Sequence, residues 1–326
     1  MATDDGDDLA MGPVLRVGRA SVYAGTCSWT DPTLVKETDW YPRKSMSAAE
    51  RLAWYASAFP VVEADSTYYF PPGPELARSW VERTPDGFRM DVKAYSLLTQ
   101  HPTKPSSLWE DLRDAVLPEH RDKKNVYADH LAPEAVEEAW ARFVHAVDPL
   151  LEAGKLGAVL LQYPEWFTPK RSNREELERA KERLGDVPAC VEFRSPRWFA
   201  EADDRDRTLR LLSDLGFAHV IVDAPPVSGL PTVAEVTAPL SVVRFHGRAD
   251  ATWKKRGISA AERFRYLYDE RELSEWVPRV ASLAEDADEV HVLMNNCYQD
   301  YGVRNAADLL ALLRDVGTVV EGGDAG

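Results

Sequence analysis

Residues 158–193 read AVLLQYPEWFTPKRSNREELERAKERLGDVPACVEF, and this stretch decides the fold class. An apolar run at 158–161 leads through a proline-marked loop into a polar segment. There Ser172-Asn-Arg-Glu175 has the spacing of a helix capping box, and Gly185 stands where such a helix would end. A second apolar run follows at 189–193. Strand, loop, capped helix, glycine stop and strand make one βαβ unit. Runs that are continuously apolar, rather than alternating, mark strands buried on both faces of a parallel sheet.

Working outward, the same alternation recurs along the chain. Strand patterns fall at 22–27, 61–65, 88–93, 158–161, 189–193, 220–223, 242–246 and 289–294. Helical patterns intervene. Ser47-Ala-Ala-Glu50 caps a helix that runs to about Phe59, and 74–83 forms another. Val136, Trp140, Phe143, Val147 and Leu150 make one apolar stripe closed by Gly154. Further helices are predicted at 172–184, 203–215, 269–283 and 305–313. The connection 224–241 is too rich in Pro and Gly for a legible helix. Eight βα units predict an α/β, TIM-barrel-like (β/α)8 barrel of parallel strands with one irregular unit. The rival, a doubly wound open sheet, lacks a G-x-G-x-x-G after its first strand. The domain is expected to span 20–316, with an acidic N-terminal tail at 1–19 and a C-terminal tail at 317–326. The polar, proline-punctuated segment 102–132 reads as an excursion over the barrel.

Composition supports one large packed domain. The chain has 326 residues, of which 44% are hydrophobic, enough for a sizeable core. Three scattered cysteines make no disulfide framework and point to a reducing, cytoplasmic setting. No stretch reaches the ~18 consecutive apolar residues of a membrane span. With 54 acidic residues against 39 Lys and Arg, the net charge of −15 argues against a general duplex-DNA binder.

In a (β/α)8 barrel, chemistry lies where strands end and βα loops begin. Those positions hold Cys27 and Trp29, Glu63, Asp65 and Tyr68, Asp91 and Lys93, Gln162, Glu192 and Arg194, Asp223, Arg244, His246 and Arg248, and Asn295, Asn296 and Cys297. Nearly every strand ends in a polar group. Alternation places Glu63 with Asp65, Glu192 with Arg194, and Arg244 with His246 and Arg248 on common faces. Lys93, Arg194, Arg244 and Arg248 would clamp a phosphate or carboxylate, with arginine forks binding it bidentately. Glu192 or Glu63 would act as general base if burial raised its pKa, and His246 as acid, base or ligand. Trp29, Tyr68, Gln162, Asp223, Asn295 and Asn296 complete the expected substrate-binding set. Glu63, Glu192, Asp223 and His246 also suit Mn²⁺ or Zn²⁺ by ligand type, but no H-x-x-H, H-x-H or C-x-x-C spacing supports a metal site. The residues leave the cofactor open. Cys27 and Cys297 end strands that are neighbours in a closed barrel, and Cys190 reads as core.

Taken together, Gly25-Thr-Cys-Ser-Trp29, Trp40-Tyr-Pro42, Phe59-Pro-Val-Val-Glu63-Ala-Asp-Ser-Thr-Tyr68, Leu160-Leu-Gln162-Tyr-Pro164, Val191-Glu-Phe-Arg194, Arg244-Phe-His-Gly-Arg248 and Asn295-Asn296 resemble the DUF72, or YecE-like, family from about Tyr23 to Leu313. The resemblance implies a TIM-barrel-like fold, related in shape to the xylose-isomerase and endonuclease IV barrels. It brings no established reaction. Cys27-Ser28 stands where such proteins usually have Ser-Gly, and Cys297 where a histidine often follows the paired asparagines.

Besides a structural or redox-responsive partner protein that uses Cys27 and Cys297, two functions fit these residues. One is an enzyme, a metal-dependent or metal-independent hydrolase or isomerase, working by acid–base chemistry on a small anionic, phosphorylated or sugar-like molecule. The other is a non-catalytic binder of nucleic acid or nucleotide that uses the same basic mouth with aromatic stacking.

Overall fold

The computed structural model describes residues 10–320. Strands β1 (Leu15–Val17), β2 (Ala20–Thr26), β3 (Val61–Ala64), β4 (Arg89–Lys93), β5 (Leu156–Tyr163), β6 (Ala189–Phe193), β7 (Ala218–Asp223), β8 (Leu240–Phe245), β9 (Glu289–Met294) and β10 (Thr318–Val319) form one sheet. β2 through β9 run parallel in chain order, and β9 pairs back onto β2 from Ser21↔Glu289 to Thr26↔Met294. The sheet is therefore a closed eight-stranded parallel barrel with helices around it, the TIM-barrel-like fold expected from the alternating pattern.

Two edges differ from the expected tails. β1 pairs antiparallel with β2 and with β10, so residues 15–17 and 318–319 form a ribbon on the barrel. The folded part thus reaches into both stretches read as tails, whose remaining residues 1–9 and 321–326 lie outside the described residues.

Ser47 and Glu50 make the reciprocal capping box that starts helix Ala48–Ala58. Helix Arg171–Leu184, by contrast, starts before Ser172 and has no side-chain cap. Asn173 instead turns its amide back to the Thr168 carbonyl at 2.8 Å. The expected helix at 269–283 is two, Glu270–Ser274 and Val277–Asp286. Pro278 sits in the first turn of the second, where its missing N–H costs no intrahelical bond, so the chain restarts there. Between β7 and β8 only a 3₁₀ turn, Pro226–Ser228, interrupts the loop. The 102–132 excursion is tied by bridges Thr103↔Val126 and Val116↔Leu131. Its Asp111 holds Arg142 on helix Pro133–Glu152 with a bidentate pair at 2.8 and 2.6 Å.

Alternation sorts the strands into two surfaces. Outward residues such as Ile221, Val243, Phe245, Val290 and Val292 pack against the helices in the main core. Inward residues fill the lumen in layers. The middle one is apolar and includes Val61, Ala158, Leu160, Cys190, Val220, Val242 and Leu293. Below it lies a charged layer of Asp91 and His291, 3.0 Å apart, with Glu289 and Arg89 paired at 2.7 Å. Gly157 opposite leaves the room: a Cβ there would sit 2.2 Å from Asp91 Oδ1 and 2.6 Å from His291 Cε1. Above the apolar layer the lumen becomes polar again, at the C-terminal ends of the strands.

Candidate functional site

Arg244 stands at the centre of this upper layer, 1% exposed. Its Nη2 donates to Glu63 Oε1 at 2.8 Å and contacts Cys27 Sγ at 3.6 Å, while Nη1 donates to Glu192. Glu192 Oε1 lies 2.6 Å from Arg194 Nε and 3.3 Å from His246 Nε2. Three strands, β3, β6 and β8, thus bring Glu63, Glu192, Arg194, Arg244 and His246 together, because residues two apart on a strand share a face.

This geometry sets the proton states. Desolvation disfavours the charge on Glu192, but Arg194, Arg244 and His246 outweigh it and hold the carboxyl well below its usual range. The general-base reading of Glu192 required burial to win, and it does not. A carboxylate held this far down accepts protons poorly at neutral pH. Burial, reinforced by the Arg194 charge, pushes His246 down to about 3. Its Nδ1 accepts from the Asn295 amide at 2.8 Å, which leaves Nε2–H facing Glu192. At neutral pH His246 is therefore uncharged, with its Nε2 close to Glu192.

Of the four cations expected to clamp an anion, two are engaged by carboxylates. Arg244 spends both terminal nitrogens on the carboxylates of Glu192 and Glu63. Arg248 is bound bidentately by Asp223, at 3.0 and 2.7 Å, and by Glu275 at 3.1 Å. Asp223 itself shares the outer phase of β7 with Ile221, and it accepts from Tyr268 Oη at 2.7 Å and Trp276 Nε1 at 2.9 Å. It faces the helical shell, so Glu63, Glu192, Asp223 and His246 do not converge as metal ligands. Two other residues expected in the binding set hold the scaffold. Asn296 bridges the Tyr266 carbonyl and Asn305, at 2.8 and 2.9 Å. Trp29 donates its indole N–H to the Ala48 carbonyl at 3.0 Å and packs edge-on against Trp80.

Lys93 and Arg194 remain. The Lys93 amine lies 4.7 Å from the Tyr68 ring centroid and makes no hydrogen bond or ion pair with a side chain or carbonyl among the described residues. Burial, and then the Arg244 charge, lower its pKa. Arg194 stacks its guanidinium over Trp253 at 5.5 Å, and beyond Glu192 it has no other acceptor among the described residues. It opens into a cavity of about 270 Å³ lined by His101, Gln162, Trp166, Arg194, Trp253 and Phe264. Asp65 follows the end of β3, and its carboxyl feels the charge of Lys93. Burial pushes its carboxyl up to about 6 against the pull of Lys93. His101 is pushed down to about 4, first by burial and then by Lys93 and Arg194.

Sequence reasoning placed Asp65 at a strand end without giving it a role, and missed His101 and Phe264. Strand phase was the available signal for Asp65. His101 and Phe264 sit in irregular loops, where no periodicity points to them. The cysteines are all free thiols: Cys27 and Cys190 are buried in the lumen and Cys297 is half-buried beside it.

The family model described as "Protein of unknown function DUF72" matches residues 23–323. The chain belongs to the DUF72 family. Among curated proteins, UPF0759 protein YunF of Bacillus subtilis is 30% identical over 298 residues, covering 90% of this chain and 94% of YunF. UPF0759 protein YecE of Escherichia coli is 26% identical over 252 residues, 71% of this chain and 76% of YecE. Crystal structures of DUF72 family proteins from Enterococcus faecalis and Thermotoga maritima superpose with TM-scores of 0.71 and 0.70. Their identities are 25% and 27%, over 94% and 90% of this chain and 100% and 99% of theirs. Several blocks that carry the DUF72 resemblance have plain structural work here. At Gly25, a Cβ would lie 2.0 Å from the Val61 carbonyl oxygen, so only glycine lets β2 and β3 approach this closely. Trp198, four residues past the Val191–Arg194 block, donates to the Phe167 carbonyl at 2.6 Å within the core. No helix among the described residues is long and apolar enough to cross a membrane.

Proposed function

We propose that this DUF72 protein is an enzyme that takes a small anionic, phosphorylated or sugar-like substrate at the barrel mouth and works on it by acid–base chemistry. One observation carries the reading: of the four expected clamp cations, the two without full partners among the described residues, Lys93 and Arg194, lie beside Asp65, whose carboxyl burial pushes up to about 6. Arg194 offers a fork to a phosphate or carboxylate. Gln162, Trp166 and Trp253 supply an amide and two aromatic faces suited to a hydroxylated ring. Asp65 is the proton acceptor, since its raised pKa places it close to the working pH where a carboxylate shuttles protons effectively. Glu63, Glu192, Arg244 and His246 hold the fixed field beneath.

The test is a thermal-shift and calorimetric screen of sugar phosphates and hydroxy acids. Solvent-deuterium exchange of each bound compound is then followed by NMR. Binding that Arg194→Ala weakens, with exchange that Asp65→Asn abolishes, supports the reading. Exchange through ionised Asp65 rises with pH through about 6. Exchange that survives Asp65→Asn overturns the assignment. Binding confined to oligonucleotides, with steep salt dependence, replaces the enzyme by a nucleic-acid binder.

A further inference from the structure

The Lys93 amine is placed differently from a structural lysine. Lys155, the other lysine drawn into the fold, spends its ammonium on the carbonyls of Val81 and Thr84 at 2.9 and 2.6 Å, with Asp86 at 3.8 Å. Such an amine is tied in place by its acceptors and has no freedom to meet a ligand. Lys93 rises from the inward face of β4, partly exposed at the mouth, with an aromatic face beneath its nitrogen in place of a carboxylate or carbonyl. A ring face steadies the amine without holding its proton by a hydrogen bond. Asp65, one turn of loop before Tyr68, supplies a carboxyl for proton traffic, and Arg194 supplies a binding fork. Lys93 and Arg194 both act on His101, at the rim of the mouth cavity.

We propose that Lys93 is a nucleophile that forms an imine with the carbonyl carbon of a small anionic aldehyde or ketone whose charged group is held by Arg194. This rests on the anion-binding reading above and narrows its substrate class to carbonyl compounds. The neutral amine attacks the carbonyl carbon: a C–N bond forms, the C=O π bond breaks, and the oxygen takes a proton from the Asp65 carboxyl. The nitrogen then returns a proton to the Asp65 carboxylate. Asp65 then gives that proton to the hydroxyl, which leaves as water while the nitrogen lone pair forms the C=N of a protonated imine, and Asp65 ends as the carboxylate. The step is a condensation with loss of one water and no change of oxidation state. Desolvation and the Arg244 charge favour the neutral amine it requires.

The experiment traps the imine by hydride. The full chain is mixed with pyridoxal phosphate, pyridoxal or pyruvate and reduced with cyanoborohydride, and the adduct is located by intact mass and peptide mapping. The expected result is one dominant adduct on Lys93, formed at least about tenfold faster than on any other lysine. It is lost in Lys93→Arg, slowed by inorganic phosphate, and slower for pyridoxal than for pyridoxal phosphate. Circular dichroism and urea midpoints of Lys93→Arg and Lys93→Met separate loss of the nucleophile from loss of the fold. Label spread over surface lysines, or a Lys93 adduct no faster than theirs, overturns the proposal. Inorganic phosphate that binds and stabilises the protein while no Lys93 adduct forms overturns the imine and leaves the anion site standing. Equal labelling of Lys93 by pyridoxal and pyridoxal phosphate, with no phosphate binding, keeps the nucleophile and removes the anion site.

Discussion

The charged layer low in the barrel makes a prediction that needs no substrate. His291 is fully buried, with Nδ1 3.0 Å from Asp91 Oδ2 and Nε2 3.3 Å from Glu289 Oε2. Burial disfavours its cation, but the two carboxylates outweigh burial and lift its pKa from 6.5 to about 9. A group whose pKa is higher in the folded state adds stability that is complete below its unfolded value and lost as pH rises through its folded value. The window here is therefore pH 6.5 to about 9. At about 1.4 kcal/mol for each pH unit across it, the contribution is about 3 kcal/mol. Asp91→Asn combined with His291→Gln replaces the ion pair by a neutral hydrogen-bonding pair of similar shape and removes the titration. Urea unfolding of both proteins from pH 6 to pH 10 reads the effect. The stability advantage of the natural pair should shrink by about 3 kcal/mol over that range, other titrations cancelling in the difference. A change below about 1 kcal/mol, or an advantage that grows with pH, refutes a buried imidazolium at this position.

Three further perturbations follow from the packing. Arg244→Leu strips Glu63 of its cationic partner in the lumen and should cost about 3–5 kcal/mol in urea unfolding; adding Glu63→Gln should recover part of it, and a strictly additive pair would deny the coupling. Gly157→Ala drives a methyl into Asp91 and His291 and should destabilise by about 1–3 kcal/mol, where an unchanged midpoint would contradict the close approach. Tyr55 Oη accepts from Thr26 N–H at 2.7 Å and donates to the Val61 carbonyl at 3.1 Å, stapling β2 to β3. Tyr55→Phe should cost about 1–3 kcal/mol by leaving these buried groups unpaired, and a neutral effect by calorimetry would show that they find other partners.

The eight barrel strands were legible because strands buried on both faces are written as continuous apolar runs. The β1–β10 ribbon was not. Leu15-Arg-Val17 sits among glycines and charged residues, and its partner lies some three hundred residues away in the chain. The break between Ser274 and Val277 carried a local sign, Pro278, that was read through. At the mouth, strand phase was enough to bring Glu63, Glu192, Arg194, Arg244 and His246 to one face. The same test separates Asp223, which alternates with the inward Val220 and Val222; choosing it by its position at a strand end alone was the error. Nothing local tells Arg194 from Arg248. One opens into a cavity and the other is closed off by Asp223 and Glu275, on elements far apart in sequence.

What the amino-acid order determined alone is the barrel and the position of its polar rim, since both follow from periodicity and from residue types within a few positions of one another. Which charges neutralise each other was decided only by the closed fold. Pair energies depend on separations of a few ångströms and on the loss of water around both partners, and barrel closure sets both across strands remote in sequence. Closure turned Glu192 from an expected base into a carboxylate held well below its usual range, engaged Arg244 and Arg248 with carboxylates, and left Lys93 and Arg194 without full partners among the described residues.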